Sequence, residues 1–359
     1  MKKTTKKLVF IGVNIVICFG LILLGHSWPE GVEGIYSRKI YPLLIDVLNL
    51  VSRPFPFSLT EIYFLVLVIF LLSFMVLWLF FSVKRDFVKG LNYLLRFFML
   101  ISVNVTLFLV LWGMNNYRLD IEDLFAFENQ EISQGDLEES YQWFVEQANF
   151  TKEQLQDEEL LALEDIMMKT DEGYAILADE YEFIRSRRAR VKPLSISGLF
   201  SQSGYSGIYL YVFSEPTINT MPHITSLPFV ASHEMAHQQG FASEDDANFV
   251  GFLAAFRHED ALFRYSAYLT AMTYVGNSLY QTDAEAYKRL NGMLDENVRE
   301  DLQARSEFWQ KNIRPKTEKV HNQVNDLFLK ANNQPEGILN YSNVTKLLVL
   351  AYKNDCLDK

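Results

Sequence analysis

Three long apolar runs dominate the first third of the chain. They cover residues Leu8–Leu24, Ile62–Phe81 and Leu91–Trp112. A helix needs about 20 consecutive apolar residues to cross the hydrocarbon core of a bilayer, and each run is close to that length. The pattern therefore predicts three transmembrane helices, with the lipid bilayer of a membrane as a partner of the protein. The alternative for the first run is a signal peptide, but no small-x-small cleavage site follows it, which favours an uncleaved anchor.

A shorter apolar stretch, Tyr41–Val51, lies between the first two runs and is followed by Arg53 and Pro54. It is too short to span a bilayer. Its length and flanking residues predict a short helix that lies along the outer membrane surface.

After residue 113, apolar positions recur at the spacing of amphipathic helices. Ile208–Phe213 differs, because it is aromatic and β-branched, with Gly204 and Gly207 before it and Pro216 after it, as is typical of a strand. The C-terminal part is therefore predicted to be mainly α with a small β-sheet. Besides two helices described below, the predicted helices are Asp136–Asn149, Lys152–Thr170, Gly173–Arg190, Ala261–Tyr280, Ala284–Leu294, Val298–Asn312, Thr317–Ala331 and Ser342–Tyr352.

The charge follows the same division of the chain. Residues 1–113 hold 11 of the 33 Lys and Arg but only five of the 44 Asp and Glu, so residues 114–359 are strongly acidic. An acidic domain repels phosphate backbones, which argues against nucleic acid as a partner.

Basic residues also predict the topology. They cluster before the first apolar run and between the second and third, at Lys2, Lys3, Lys6, Lys7, Lys84, Arg85 and Lys89. Such clusters stay in the cytoplasm. Three spans then place the remainder outside, which predicts a multi-pass protein of the cell membrane. Its membrane domain is predicted to cover residues 1–113 and its extracytoplasmic domain residues 114–359.

The segment His233–His237 reads H-E-x-x-H within a helical pattern that starts near Thr225 or Ser226 and ends at Gly240. Residues four apart share one helix face, so both imidazoles reach a single metal ion. Glu234 can then activate a metal-bound water. The motif predicts a membrane-anchored zinc peptidase with Glu234 as the catalytic base and a peptide or protein as substrate.

A catalytic zinc site needs a third protein ligand. An acidic cluster opens the next helix, and the residues alone leave the choice between Glu244 and Asp245. Residues 244–248 read E-x-x-A-N and resemble the E-x-x-A-D segment of the gluzincin group of zinc peptidases. The resemblance implies that Glu244 is the third ligand and that Asn248 hydrogen-bonds one of the two zinc-binding histidines. Asn stands where that group has Asp.

Four further residues are candidates for contacting substrate or stabilising the transition state. His223 precedes the H-E-x-x-H helix, and the alternative for it is a loop histidine. Glu215 and Asn219 follow the predicted strand, where turn capping is the alternative. Tyr341 can donate a hydrogen bond to an oxyanion, or can be a packed aromatic residue.

Over nearly its whole length the chain resembles the bacterial domain-of-unknown-function 3810 family. The segments that carry the resemblance are Trp112–Arg118, Gly204–Tyr209, Glu215–Asn219, His233–Phe249, Arg264–Leu269 and Gly337–Tyr341. The resemblance and the H-E-x-x-H motif together imply an α+β zincin-like catalytic domain with a gluzincin-like core. Two other functions fit the same residues: a non-catalytic zinc-binding sensor or scaffold, and a zinc hydrolase of cell-wall amides.

Overall fold

A computed structural model of the protein describes residues 2–127, 130–156, 160–187, 189–332 and 341–357. Within these residues the chain is mostly helical, with one three-stranded sheet. Two compact units can be distinguished. The first consists of residues 1–119 and 210–214, and the second of residues 120–209 and 215–359. The predicted fold class, mainly α with a small β-sheet after three long apolar helices, is confirmed.

The helices of the first unit are α1 (Lys2–Ser27), α2 (Pro29–Gly31), α3 (Tyr41–Ser52), α4 (Leu59–Val83) and α5 (Phe87–Leu111). Helices α1, α4 and α5 contain the three apolar runs and are long and apolar enough to cross a membrane. Few of their side chains are buried within the unit, as is expected where lipid rather than protein surrounds a helix.

Polar caps set where two of these helices begin. The Ser58 hydroxyl accepts a hydrogen bond from the Glu61 amide, and the Asp86 carboxylate accepts one from the Lys89 amide. Each cap satisfies an amide that has no partner inside the helix. Both helices therefore start a few residues before the apolar runs that predicted them.

Residues Val32–Ile40 form a π-helical segment that leads into α3. The helix predicted over Tyr41–Val51 is confirmed as α3, and its position on a membrane surface remains a prediction. The buried Glu33 carboxylate of the π-helical segment pairs with Arg38 and Arg118, each at 2.8 Å, which ties this segment to the 3₁₀ turn after α5.

The second unit packs its helices around α10, α11 and α12, with α7, α8 and α16 against them. Its helices are α6 (Ile121–Leu124), α7 (Gln134–Gln156), α8 (Leu163–Glu180), α9 (Ser197–Ser203), α10 (Leu227–Gln238), α11 (Glu244–Arg257), α12 (Ala261–Thr282), α13 (Ala284–Asn291), α14 (Glu296–Asn312), α15 (Pro315–Ala331) and α16 (Tyr341–Lys353).

Three helices were predicted between residues 136 and 190, but the structure has two there, α7 and α8. The predicted boundaries were therefore wrong. Gly173, taken as a helix start, lies inside α8, where a side chain would collide with the Ala254 carbonyl of α11. This glycine marks a close approach of two helices. After Glu180 the chain returns along α8, where the Asp171 carboxylate accepts hydrogen bonds from the Ser186 hydroxyl and the Arg187 amide.

The sheet consists of β1 (Lys192–Pro193), β2 (Gly207–Leu210) and β3 (Glu215–Ile218), in the order β1-β3-β2. The strand predicted over Ile208–Phe213 was wrong beyond Leu210. Residues 211–214 form a turn in which Ser214 has a positive φ of 54°, and Pro216, expected to stop a strand, lies in β3. A turn that needs one left-handed residue is hard to predict when that residue is not glycine.

Candidate metal centre

Helix α10 carries both histidines of the H-E-x-x-H motif. It follows a 3₁₀ turn at Ile224–Ser226 and ends beside Gly240, whose φ of 91° only glycine adopts without strain. Both predicted ends of this helix are confirmed within one or two residues. The rings of His233 and His237 lie on one face, with their centroids 4.7 Å apart.

Helix α11 brings the third residue to this face. The Ser243 hydroxyl caps the helix by accepting a hydrogen bond from the Asp246 amide at 3.1 Å. Gly251 faces His233, and a Cβ at this position would lie 2.8 Å from the His233 Cα. The missing side chain lets α11 approach the backbone of α10, which leaves Glu244 beside both imidazoles.

His233, His237 and Glu244 form a group that can hold a metal ion. The Nε2 atom of His233 lies 3.4 Å from one Glu244 oxygen, and the Nε2 atom of His237 lies 3.8 Å from the other. The three ligand atoms all lie within 4.8 Å of one another. Zinc binds nitrogen and carboxylate oxygen at about 2.0–2.2 Å in a tetrahedron, so its ligand atoms lie about 3.5 Å apart. The group fits zinc with little adjustment.

Asp245, the alternative third ligand, does not belong to this group among the described residues. Its side chain is buried, whereas Glu244 retains 48 % of its side-chain exposure on the face of the histidines. Successive residues of a helix point about 100° apart, so only one of the two can face α10.

Hydrogen bonding orients one histidine for a metal. The Nδ1 atom of His237 lies 2.8 Å from the Phe241 carbonyl oxygen, to which it can donate a hydrogen bond. This tautomer leaves the Nε2 lone pair for the ion. This carbonyl was not predicted from the sequence, although the turn at Gly240 places it there.

Asn248 was expected to orient one of the histidines. It is buried on α11 beside His233, and its amide contributes to raising the pKa of that residue. The Nδ1 atom of His233 is itself buried and has no partner at hydrogen-bonding geometry among the described residues. The orienting role of Asn248 remains a prediction.

Glu234 is buried at the edge of this group. A side chain at Gly207, the first residue of β2, would collide with its Oε1 atom, so the carboxylate lies directly against the edge strand. Its Oε2 atom is buried without a hydrogen-bond partner among the described residues. Such an atom can still accept a hydrogen bond from a water molecule or a substrate.

The charges of the site are strongly coupled. Burial raises the pKa of Glu234 to about 8, and the Glu244 carboxylate adds to this effect while His233 opposes it. Burial also opposes ionisation of Glu244, but the two histidines outweigh it and lower the pKa of Glu244 to about 2. Burial lowers the pKa of His237 to about 4, which favours the neutral, metal-binding form. Burial opposes protonation of His233 as well, yet the two carboxylates raise its pKa.

The other predicted residues lie outside the metal-binding group. Glu215 pairs with Lys192 at 2.5 Å, both with 1 % side-chain exposure, and so joins β3 to β1. Asn219 donates to the Ser201 hydroxyl and thereby holds α9 near the sheet. His223 is partly exposed, with its Nδ1 atom 2.9 Å from the Thr225 hydroxyl. Substrate contact by any of these residues remains a prediction.

Tyr341 is the first residue of α16, and its side chain lies outside the described part of the chain. Its proposed contact with an oxyanion therefore remains a prediction.

The family model described as "Protein of unknown function (DUF3810)" matches residues 36–349. The chain belongs to this family. The match covers the site, the sheet, most of the second unit, and helices α4 and α5. No curated protein and no solved structure matches the chain.

Proposed function

We propose that the protein is a membrane-anchored zinc peptidase with a gluzincin-like core. The observation that carries the proposal is the arrangement of four side chains: His233, His237 and Glu244 within ligand distance of one another, and the buried Glu234 carboxylate next to them. A purely structural zinc site fills its four positions with protein ligands and does not need a neighbouring base with an unmatched oxygen.

The roles of these residues follow from their positions. His233, His237 and Glu244 would hold the ion, which when bound supplies a Lewis acid and a water of lowered pKa. Glu234 would take the proton of the water that attacks the peptide carbonyl, because its buried carboxylate adjoins His233 and Glu244 and its Oε2 atom has no partner among the described residues. It then passes the proton to the amine that leaves.

Strand β2 lies at the edge of the sheet and begins where Glu234 is packed. An extended peptide can pair with such an edge through main-chain hydrogen bonds. Pairing at Gly207 would place a peptide carbonyl close to Glu234, which supports peptides rather than small amides as substrates.

We further propose that residues 114–359 form an extracytoplasmic catalytic domain and that residues 1–113 anchor it in the cell membrane. The basic clusters before α1 and between α4 and α5 support this orientation. The substrate is then an extracytoplasmic peptide or protein segment.

The test uses the full-length protein in detergent, loaded with zinc and incubated with a mixture of peptides whose cleavage is read by mass spectrometry. The parent should cleave some peptides. Glu234→Gln should keep its zinc and lose cleavage by about 100-fold or more, because a positioned base contributes about 10²–10⁴. Asp246→Asn, on the same α10–α11 pair, serves as the matched control and should behave like the parent.

Three results would contradict the proposal. Undiminished cleavage by Glu234→Gln would show that Glu234 is not the catalytic base. Cleavage of cell-wall fragments but of no peptide would favour the amidase function. Full complementation of a deletion strain by Glu234→Gln would favour the sensor or scaffold.

A further inference from the structure

A second group of charged residues lies in the same unit, where α7, α12 and α14 meet. Asp301 of α14 accepts a hydrogen bond from Tyr265 at 2.8 Å and pairs with Lys152 at 2.6 Å. The Lys152 ammonium also lies 5.5 Å from the centre of the Tyr265 ring. Both donors bind the same oxygen of this carboxylate, Oδ2.

Arg305 lies one turn further along α14, close enough to Asp301 for the carboxylate to raise its pKa. One guanidinium nitrogen, Nη2, donates to the Thr270 hydroxyl at 3.2 Å. The other, Nη1, is buried without a hydrogen-bond partner among the described residues. Burial lowers the pKa of Arg305 to about 10, although Tyr265 and Asp301 oppose this effect. An arginine with this pKa remains charged at neutral pH. Because its Nη1 donor has no partner among the described residues, its neighbours compensate this buried charge only in part.

His223 adds a third basic group. Burial lowers its pKa, Arg305 and Lys152 lower it further, and Asp301 alone among its charged neighbours raises it. The turn that follows His223 packs against α12 and α14, so the group contains three basic side chains around one carboxylate. With its lowered pKa, His223 is mainly neutral at pH 7, but the charges of Lys152 and Arg305 still exceed that of Asp301. A cation in excess with an unmatched, buried N–H donor is the property of an anion site.

The group lies at the start of the helix that carries the metal-binding histidines. His223 precedes α10 by four residues, and the Phe229 amide of α10 donates to Ser266, one turn before Thr270 on α12. Helix α10 rises about 9 Å from Leu227 to His233. An extended peptide covers this distance with about three residues.

The strand beside Glu234 points to the same region. Three residues before Gly207, Gly204 lies against the side chain of Ile313, the residue that follows α14. Helix α14 therefore borders the start of the edge strand at one end and presents Arg305 two turns earlier. A peptide that extends from β2 toward α14 would bring its own charged groups to Arg305.

We propose that Arg305, together with His223, forms a subsite for a carboxylate of the peptide substrate, about three residues from the bond that is cut. The carboxylate is either the C-terminus of the peptide or an acidic side chain. This inference rests on the proposed peptidase function, and it narrows the substrates to peptides with a carboxylate about three residues from the bond that is cut.

The test measures binding without turnover. The full-length Glu234→Gln protein, loaded with zinc in detergent, is titrated with three dye-labelled, alanine-rich hexapeptides. One has a free C-terminal carboxylate, one is amidated, and one is amidated with a glutamate three residues from its end. At least one of the two acidic peptides should bind about tenfold more tightly than the neutral one, which corresponds to about 1.4 kcal/mol. The peptide that is preferred identifies the source of the carboxylate.

Arg305→Gln should abolish this preference and leave binding of the neutral peptide unchanged. Arg299→Gln is the matched control and should keep the preference for acidic peptides. Arg299 lies on the same helix, but it donates hydrogen bonds to the carbonyl oxygens of Gly292 and Leu294. If Arg305→Gln does not fold, as judged by its melting temperature and zinc content, His223→Gln replaces it and should weaken the preference at least threefold. A preference that survives in the folded variant would overturn the inference. So would a parent that binds no acidic peptide up to millimolar concentration.

Hydrolysis of the same peptides by the parent separates the two proposals. Binding that depends on Arg305 without any hydrolysis supports the subsite and contradicts the peptidase function. Hydrolysis that is indifferent to peptide charge contradicts the subsite and leaves the peptidase function intact.

Discussion

At the residue scale, the candidate metal centre is a place where buried polar atoms lack partners. His233 and Glu234 are adjacent in sequence. The Nδ1 atom of the first and the Oε2 atom of the second are buried and have no hydrogen-bond partner among the described residues. A buried polar group without a hydrogen bond destabilises a fold by about 1–3 kcal/mol. Proteins tolerate such groups mainly where a ligand or a reaction needs them, and here both lie beside a group that can hold a metal ion.

The two glutamates should respond differently to the same substitution. Glu244→Gln removes an anionic ligand, so the zinc affinity should fall by more than about 100-fold. Glu234→Gln leaves the ligand set intact, so its zinc affinity should stay near that of the parent. Zinc affinity is measured by competition with a chelator of known affinity.

Asp245→Asn and Asp246→Asn are the controls for this comparison. Each removes a negative charge from the first turn of α11, and both variants should keep the zinc affinity of the parent. Asp246→Asn should lose at most about 1 kcal/mol of stability through the helix dipole. If Asp245→Asn releases the metal and Glu244→Gln does not, the third ligand is Asp245.

Zinc binding should release protons at pH 7. With a pKa of about 8 in the metal-free site, the Glu234 carboxyl group is mostly protonated at this pH. A divalent cation nearby favours the carboxylate and lowers that pKa, so binding expels the proton, and the raised pKa of His233 adds a second source. The zinc affinity should therefore rise with pH until about pH 8 and then level off.

Calorimetry in two buffers of different ionisation enthalpy gives the number of protons released, which should be about one to two. Glu234→Gln has no proton to lose at this position and should release fewer. Equal release by the parent and by Glu234→Gln would show that Glu234 is already ionised without the metal.

At the element scale, the site depends on how closely α10 and α11 pack. The turn at Gly240 reverses the chain, and Gly251 lets the two helices approach at His233. The contact is between backbones, so neither helix can yield by rotating a side chain. Two glycines that catalyse nothing therefore determine whether Glu244 reaches the histidines.

Gly251→Ala should move α11 away from α10. The added Cβ would lie 2.8 Å from the His233 Cα, which is too close for any real contact. Overpacking of this kind destabilises a protein by about 1–3 kcal/mol. Both the melting temperature and the zinc affinity should fall. Gly198→Ala in α9 is the control, because its Cβ would meet only the Met221 sulfur at 4.0 Å. A Gly251→Ala variant with the parent's melting temperature and zinc affinity would disprove the close approach.

At the scale of the whole molecule, the chain contains two units that differ in where their apolar side chains lie. The first unit exposes apolar side chains along α1, α4 and α5, and the second buries a large apolar core under an acidic surface. The turn at residues 211–214 belongs to the first unit, where the Tyr211 ring contacts Phe64 and Phe108 edge-on and the Phe213 amide donates to Thr60.

A reporter active only outside the cytoplasm, fused after residue 120, should be active in cells. The same reporter fused after residue 86, in the basic loop between α4 and α5, is the control and should be inactive. The reverse pattern would place the second unit in the cytoplasm and exclude an extracytoplasmic substrate.

The features that the sequence alone determined are those set by local spacing and composition. Three apolar runs of bilayer length predict helices α1, α4 and α5, because a backbone surrounded by lipid must satisfy its own hydrogen bonds. The four-residue spacing of His233 and His237 places both rings on one helix face. Gly240 ends that helix, because few other residues adopt its backbone conformation.

The features that only the tertiary structure decided depend on residues far apart in the chain. The presence of Glu244 rather than Asp245 in the metal-binding group follows from the packing of α11 on α10 at Gly251. The hairpin of β2 and β3 depends on a non-glycine residue, Ser214, in a left-handed conformation. The basic group around Arg305 joins residues from four separate segments. A local pattern contains no information about such contacts. The free energy that stabilises them comes from packing between elements, and it is gained only when those elements are in contact.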